Sequence, residues 1–261
     1  MLGAIAGDII GSIYEADNIK TPDFQPLFGP LCHPTDDSVL TCAVAEWLLR
    51  GAGDDLPDLL KSWFRRYPLA GYGMTFIRWA GSSNRSPYNS WGNGSAMRVS
   101  PVGHVFDSLA ETLEVATRSA EVTHNHPEGI KGAQAVAGAI FLARTTQSKE
   151  EIRSFIESKI GYDISQPVDQ IRPTYSFDVS CQGSVPQAIT AFLESSHWED
   201  AVRKAISLGG DSDTIACIAG GIAAAFYGSV SEKISEEVKC RLSPDMLAVL
   251  DRFVKQYPTA G

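Results

Sequence analysis

Apolar residues recur along most of this chain at the spacing of one helix face. Over residues 39–49, Val39, Leu40, Ala43, Val44, Trp47 and Leu48 fall at i, i+3, i+4 intervals, which gathers them on a single helical face. The same period returns over 56–67, 109–122, 129–143 and 149–160, and again over 185–193, 198–208, 214–227 and 246–257. Nowhere do several Val-, Ile- or Thr-rich runs alternate with period 2, so no sheet is expected and the chain reads as all-α. Two stretches lack the helical period, 81–95 and 162–183. Irregular connections of that length are uncommon in a compact domain and often carry function. With no shift of composition to mark a boundary, residues 1–261 read as one domain.

One predicted helix stands apart in its bulk. Residues 209–228 carry Ala or Gly at 216, 219, 220, 221, 223, 224 and 225. Glycine inside a helix costs about 1 kcal/mol relative to alanine, and close approach of neighbouring helices is one reason to accept that cost. This segment is therefore expected at the centre of the fold.

Composition narrows the function classes. Of 261 residues, 44% are hydrophobic and 20% charged, enough to bury a sizeable core and to exclude disorder. Lys plus Arg total 22 against 31 Asp plus Glu, and a net charge of -9 repels nucleic acid and anionic membrane at long range. The five cysteines (32, 42, 181, 217 and 240) show no C-x-x-C spacing, so neither a disulfide framework nor a structural zinc site is expected. The first 17 residues have no basic stretch, and Asp8 interrupts their apolar run, unlike a signal peptide. The most apolar later run, 215–227, falls short of the about 20 residues that span a bilayer. A cytoplasmic protein is expected, and with no heptads or large apolar run, a monomer.

Two acidic clusters precede apolar-periodic runs: Pro34-Thr35-Asp36-Asp37-Ser38 and Gly209-Gly210-Asp211-Ser212-Asp213-Thr214. Either alone reads as a helix cap, since Ser, Thr and Asp favour that position and acids complement the helix dipole. Together they supply four carboxylates, more than two caps need, and adjacent acids repel. Hard divalent cations relieve that repulsion through oxygen ligands, as Mg²⁺ does. Two helix starts facing each other could hold two ions about 4 Å apart. Apart from nearby His33 the clusters lack His and Cys, which disfavours zinc.

Weaker signals lie elsewhere. Ser90-Trp91-Gly92-Asn93-Gly94 reads as a tight turn before a helix, or as backbone N–H groups around 92–94 that wrap a phosphate, with Trp91 and Tyr88 near enough to stack on a base. His124, after a predicted helix, reads first as a hydrogen-bonding loop residue. Glu15 reads as a surface acid. Asp8, inside an apolar helix, needs a buried partner, which helix capping or support of a metal site would equally provide.

Taken in order, these segments resemble the ADP-ribosylglycohydrolase family. The resemblance runs from Gly3-Ala4-Ile5-Ala6-Gly7-Asp8 through Thr35-Asp36-Asp37-Ser38, Gly92-Asn93-Gly94-Ser95-Ala96-Met97-Arg98 and Thr123-His124 to Gly209-Gly210-Asp211-Ser212-Asp213-Thr214. It implies a multi-helix orthogonal bundle with a dinuclear metal cleft that holds two Mg²⁺, with Mn²⁺ as the other candidate. The implied metal ligands are Thr35, Asp36, Asp37, Asp211, Asp213 and Thr214. Implied substrate contacts are Ser90, Trp91, Gly92, Asn93, Gly94 and His124, and the implied catalytic set is Asp211, Glu15 and Asp36. Gly11-Ser12-Ile13-Tyr14-Glu15 looks like the branch that cleaves O-linked ADP-ribose, in which this glutamate sits on a mobile flap. The implied substrates are serine ADP-ribose and O-acetyl-ADP-ribose, with ADP-ribose or an ADP-ribosylated molecule as the partner. Arginine-linked hydrolysis and ADP-ribose binding without cleavage are the alternatives.

Overall fold

Two helices with little side-chain bulk lie antiparallel, backbone against backbone, in the computed structural model, which describes residues 1–228 and 230–258. They are α1 (Leu2–Gly11) and α12 (Ser212–Tyr227). Glycines at 3, 7 and 11 make the contact possible: a Cβ on Gly7 would lie 2.1 Å from the Ala216 carbonyl oxygen, and one on Gly3 2.5 Å from that of Gly220. Atoms cannot approach that closely, so only hydrogen fits at these positions. The expected central helix is therefore α12, buried from Ser212 to Ala225.

The remaining helices surround this pair. In chain order they are α2 (Asp36–Leu49), α3 (Leu56–Arg66), α4 (Met74–Ala80), α5 (Gly94–Met97) and α6 (Leu109–Glu121). Next come α7 (Pro127–Thr146), α8 (Lys149–Ser154), α9 (Val168–Ile171), α10 (Cys181–Leu193) and α11 (Trp198–Ser207). Beyond α12 follow α13 (Glu232–Lys239) and α14 (Pro244–Gln256). No strand occurs among the described residues, and α7, α10 and α11 pack around α12. The short helices α4, α5 and α9 escape sequence periodicity because one or two turns give too few apolar repeats to register. Among the described residues no helix is long and apolar enough to cross a membrane.

Both irregular stretches are present, and they meet. Gly92 and Ser180 form an isolated antiparallel bridge, with Asn93 N–H donating to the Val179 oxygen at 2.8 Å and Cys181 N–H to the Trp91 oxygen at 3.0 Å. Buried Lys61 pins the base of the first stretch by donating to the carbonyls of Trp79, Ser82 and Asn84 at 2.9, 2.7 and 2.7 Å. Three backbone acceptors offset the cost of burying that ammonium group.

Candidate active site

The antiparallel contact sets the C-terminal end of α1 beside the N-terminus of α12, and α2 starts against the same end. Both acidic motifs lie inside the first helical turns, not before them: α2 begins at Asp36 with Thr35 as its cap, and α12 begins at Ser212 with Asp211 at the cap position. Unpaired first-turn N–H groups and the helix dipole favour negative charge there. Asp8 of α1 caps α2 from outside. Its carboxylate accepts from Thr35 N–H at 3.0 Å, Thr35 Oγ1 at 2.6 Å, Ser38 N–H at 3.1 Å and the Ser38 hydroxyl.

Carboxylate oxygens of Asp8, Asp37 and Asp213 lie within 4.8 Å of one another, as do those of Glu15, Asp211 and Asp213. Asp213 belongs to both groups and joins them. Among the described residues no Lys or Arg forms an ion pair with any of these acids or with Asp36. Asp37 Oδ1 is buried without a hydrogen-bond partner among the described residues, while Oδ2 accepts from Thr214 Oγ1 at 3.3 Å. An all-oxygen donor set, mutual repulsion and an orphaned carboxylate oxygen are what a hard cation would satisfy, so these residues could hold a metal ion.

Desolvation, followed by repulsion from Asp213, raises Asp8 and Glu15 to about 7. The same causes push Asp36 and Asp37 well above the usual carboxylate range, and burial with the Asp211 charge does so for Asp213. Asp211 is also raised by burial, but hydrogen bonds from the Asp213 carboxyl and from Asn93 oppose the rise. The Asn93 amide donates to Asp211 Oδ2 at 2.7 Å.

A cavity of about 520 Å³ opens over these acids, and Tyr88, Phe177 and Val179 line it from the bridged stretches. The model of the ADP-ribosylglycohydrolase family matches residues 1–260. The chain belongs to this family. ADP-ribosylhydrolase ARH3 of Bos taurus is 28% identical over 320 residues, covering 92% of this chain and 87% of that protein. ADP-ribosylarginine hydrolase Tri1 of Pseudomonas putida (strain GB-1) is 30% identical, covering 87% of this chain and 69% of that one. A solved chain described as an ADP-ribosylglycohydrolase-related protein complex superimposes with a TM-score of 0.70 at 22% identity, covering 96% of each chain, and shares the fold.

In this ADP-ribosylglycohydrolase the residues expected from sequence distribute unevenly. Thr35, Asp36, Asp37, Asp211, Asp213 and Thr214 all line the cavity, as does Glu15. Asp36 lies outside both tight carboxylate groups; its N–H donates to the Ala70 oxygen at 2.7 Å and its side chain faces the turn at Gly71. Ser90, Gly92, Asn93, Gly94 and His124 line the cavity, whereas Trp91 is 49% exposed and does not. Two of the three amides in the 92–94 turn are already engaged, Gly92 N–H with Ser90 Oγ at 3.2 Å and Asn93 N–H with Val179. That leaves the amide of Gly94, which lines the cavity, as the one in this turn without a backbone or side-chain acceptor among the described residues.

Sequence reading missed much of the rim. Leu69, Met74, Phe177 and Val179 line the cavity while 96%, 63%, 55% and 47% exposed. Each is a lone apolar residue in an irregular stretch or at a helix start, so no period marks it. Arg98 also lines the cavity, buried and, among the described residues, without a carboxylate partner. Its place at the end of Gly92-Asn93-Gly94-Ser95-Ala96-Met97-Arg98 is the signal the sequence offers.

Proposed function

We propose that this ADP-ribosylglycohydrolase cleaves the glycosidic bond between ADP-ribose and an O-linked acceptor, serine ADP-ribose or O-acetyl-ADP-ribose, using two Mg²⁺ or Mn²⁺ ions. The observation that carries the reading is the place of Glu15: its carboxylate lies within 4.8 Å of Asp211 and Asp213, in a segment that resembles the O-linked branch. Thr35, Asp36, Asp37, Asp211, Asp213 and Thr214 are the ligands assigned to the ions. When bound, such ions supply Lewis acidity toward water and toward the hydroxyls of the ribose.

The chain's own groups do the rest. Asp211, steadied by Asn93, accepts the proton of the attacking water while the bond to the anomeric carbon breaks through an oxocarbenium-like state, and returns that proton to the departing serine oxygen. A carboxylate raised toward neutrality by burial suits that task. The Gly94 amide with His124 holds the diphosphate, which keeps the ribose in register over the acids. Phe177 and Val179 keep bulk water from the reacting end. Trp91 and Tyr88 serve the adenine. The enzyme is assigned as a cytoplasmic monomer acting on an ADP-ribosylated protein or small molecule.

Arginine-linked hydrolysis is the second reading, favoured by the 30% identity to the Pseudomonas putida ADP-ribosylarginine hydrolase. Peptides ADP-ribosylated on serine and on arginine, and O-acetyl-ADP-ribose, each incubated with Mg²⁺ and with a chelator, separate the two. Metal-dependent release of ADP-ribose from the O-linked substrates is the expected result. Release from arginine alone discards the O-linked assignment but keeps the hydrolase. No release from any of them favours binding without cleavage.

A further inference from the structure

Arg98 is fully buried behind the bridged stretches, where a guanidinium without a counter-charge is costly. Its Nη2 donates to the Ser119 oxygen at 2.9 Å and to Thr123 Oγ1 at 2.8 Å, while Nε and Nη1 have no partner among the described residues. The hydroxyl that Arg98 grips lies 2.7 Å from His124 Nδ1. The Tyr88 ring centre lies 6.0 Å from that of His124.

Proton counting restricts this cluster. A threonine hydroxyl has one proton to give and two lone pairs to receive. Arg98 can only donate, so it takes one lone pair. Among the described residues the buried hydroxyl has one other hydrogen-bond neighbour, Nδ1 of His124, which is the acceptor open to its proton. The Thr123 proton is then directed to Nδ1 of His124, and the ring's own proton resides on Nε2. Burial and the Arg98 charge hold His124 well below the usual histidine range, which keeps the ring neutral. Its Nε2 edge faces the glycine turn: a Cβ on Gly94 would lie 3.2 Å from Nε2, and one on Gly92 3.8 Å.

We propose that Arg98, acting through Thr123, is a positioning residue that fixes His124 as the Nε2–H tautomer, so that the ring offers a hydrogen-bond donor to an anionic group held at the Gly94 turn. The identity of that group as the diphosphate of ADP-ribose rests on the function proposed above; the tautomer does not. His124 is thereby a donor and not a base. The opposite tautomer would turn a lone pair toward the anion and repel it.

Long-range ¹H–¹⁵N spectra of the full chain labelled at histidine, recorded near neutral pH, read the tautomer directly. The expected wild-type result is Nε2–H at His124. Thr123→Val keeps the volume but removes the hydroxyl, and should shift the ring away from that tautomer. Thr123→Ser should restore it, which a purely structural role of Thr123 would not require. Titration with free ADP-ribose should weaken about 10-fold in the valine variant, the size expected for one hydrogen bond to a charged group, and little in the serine variant. Arg98→Lys, which keeps the charge but loses the fork, should disturb the His124 Nδ1 signal. Nδ1–H in the wild type overturns the proposal, as does an unchanged tautomer in Thr123→Val. A changed tautomer with unchanged ADP-ribose affinity overturns the donor role. Failure to hydrolyse any ADP-ribosyl linkage would count against the proposed activity and leave the spectra readable.

Discussion

The acid wall of the cleft rises from helices whose backbones touch, whereas the opposite wall is two irregular stretches joined at Gly92 and Ser180. Asp8, Asp37 and Asp213 are buried and locked to helix starts by hydrogen bonds. Trp91, Phe177 and Val179 on the other side remain about half exposed. Chemistry at a glycosidic bond needs charges fixed to within tenths of an ångström, which rigid elements provide. Holding a nucleotide and its acceptor tolerates a looser surface, and loops on a rigid scaffold provide that. The contrast assigns turnover to one wall and affinity to the other, and each change below tests that division.

Asp213→Asn should have the largest effect. Asp213 joins both carboxylate groups, so its loss removes a charge from each. Hydrolysis is expected to fall on the order of 10³-fold, comparable to deleting a principal electrostatic group of an active site. The fold should survive, because asparagine preserves the volume and relieves repulsion. Full turnover in this variant, measured as ADP-ribose release, would break the assignment of chemistry to the acid wall.

A stability measurement comes next in size. Asp8 and Glu15 sit at about 7 in the folded chain against ordinary values near 4, and Asp36, Asp37 and Asp213 are raised well above the ordinary value. Groups raised by folding bind protons more tightly in the folded state. Their contribution is present below the unfolded pKa and is lost as pH rises through the folded one. Glu15 is exposed and contributes least. In chelator, Tm should therefore fall between pH 5 and pH 8, by about 2–4 °C for each kcal/mol lost in a chain of this size. Saturating Mg²⁺ or Mn²⁺ should remove most of the fall, because binding to the folded state alone stabilises it. A Tm in chelator that stays flat with pH would mean that the acids are not under the strain described.

The same division governs what the sequence discloses. Acid-wall residues are legible because Thr35-Asp36-Asp37-Ser38 and Asp211-Ser212-Asp213-Thr214 are short local strings, and the small residues of α12 announce a close contact. Even there, helix starts read three residues late at α2, since only apolar residues report the period and the first turn is polar. Asp8 reads as a buried acid in need of a partner, and its cap on α2 emerges only when the helices meet. The loop wall is legible as two irregular stretches but not as one surface. Its bridge joins residues far apart in the chain through backbone groups that carry no side-chain signal. Phe177 and Val179 go unmarked for that reason.

Trp91→Ala should have the smallest effect and tests the loop wall alone. The Trp91 carbonyl accepts from Cys181 N–H at 3.0 Å, so its backbone belongs to the bridge whatever the side chain is. The indole itself is 49% exposed and lies outside the cavity lining, so its removal leaves no buried void and Tm should hold. Stacking on a base contributes about 1–3 kcal/mol, and a ring that is half exposed before binding belongs at the low end. KM should rise about 5-fold at the lower figure, with kcat unchanged, the pattern of an interaction made equally in ground and transition states. A fall in kcat would mean that the loop wall reaches the chemistry and that the division between the walls is wrong. An unchanged KM would move the base inward to Tyr88 and Phe177, which line the cavity, and would leave Trp91 as a structural strut of the bridge.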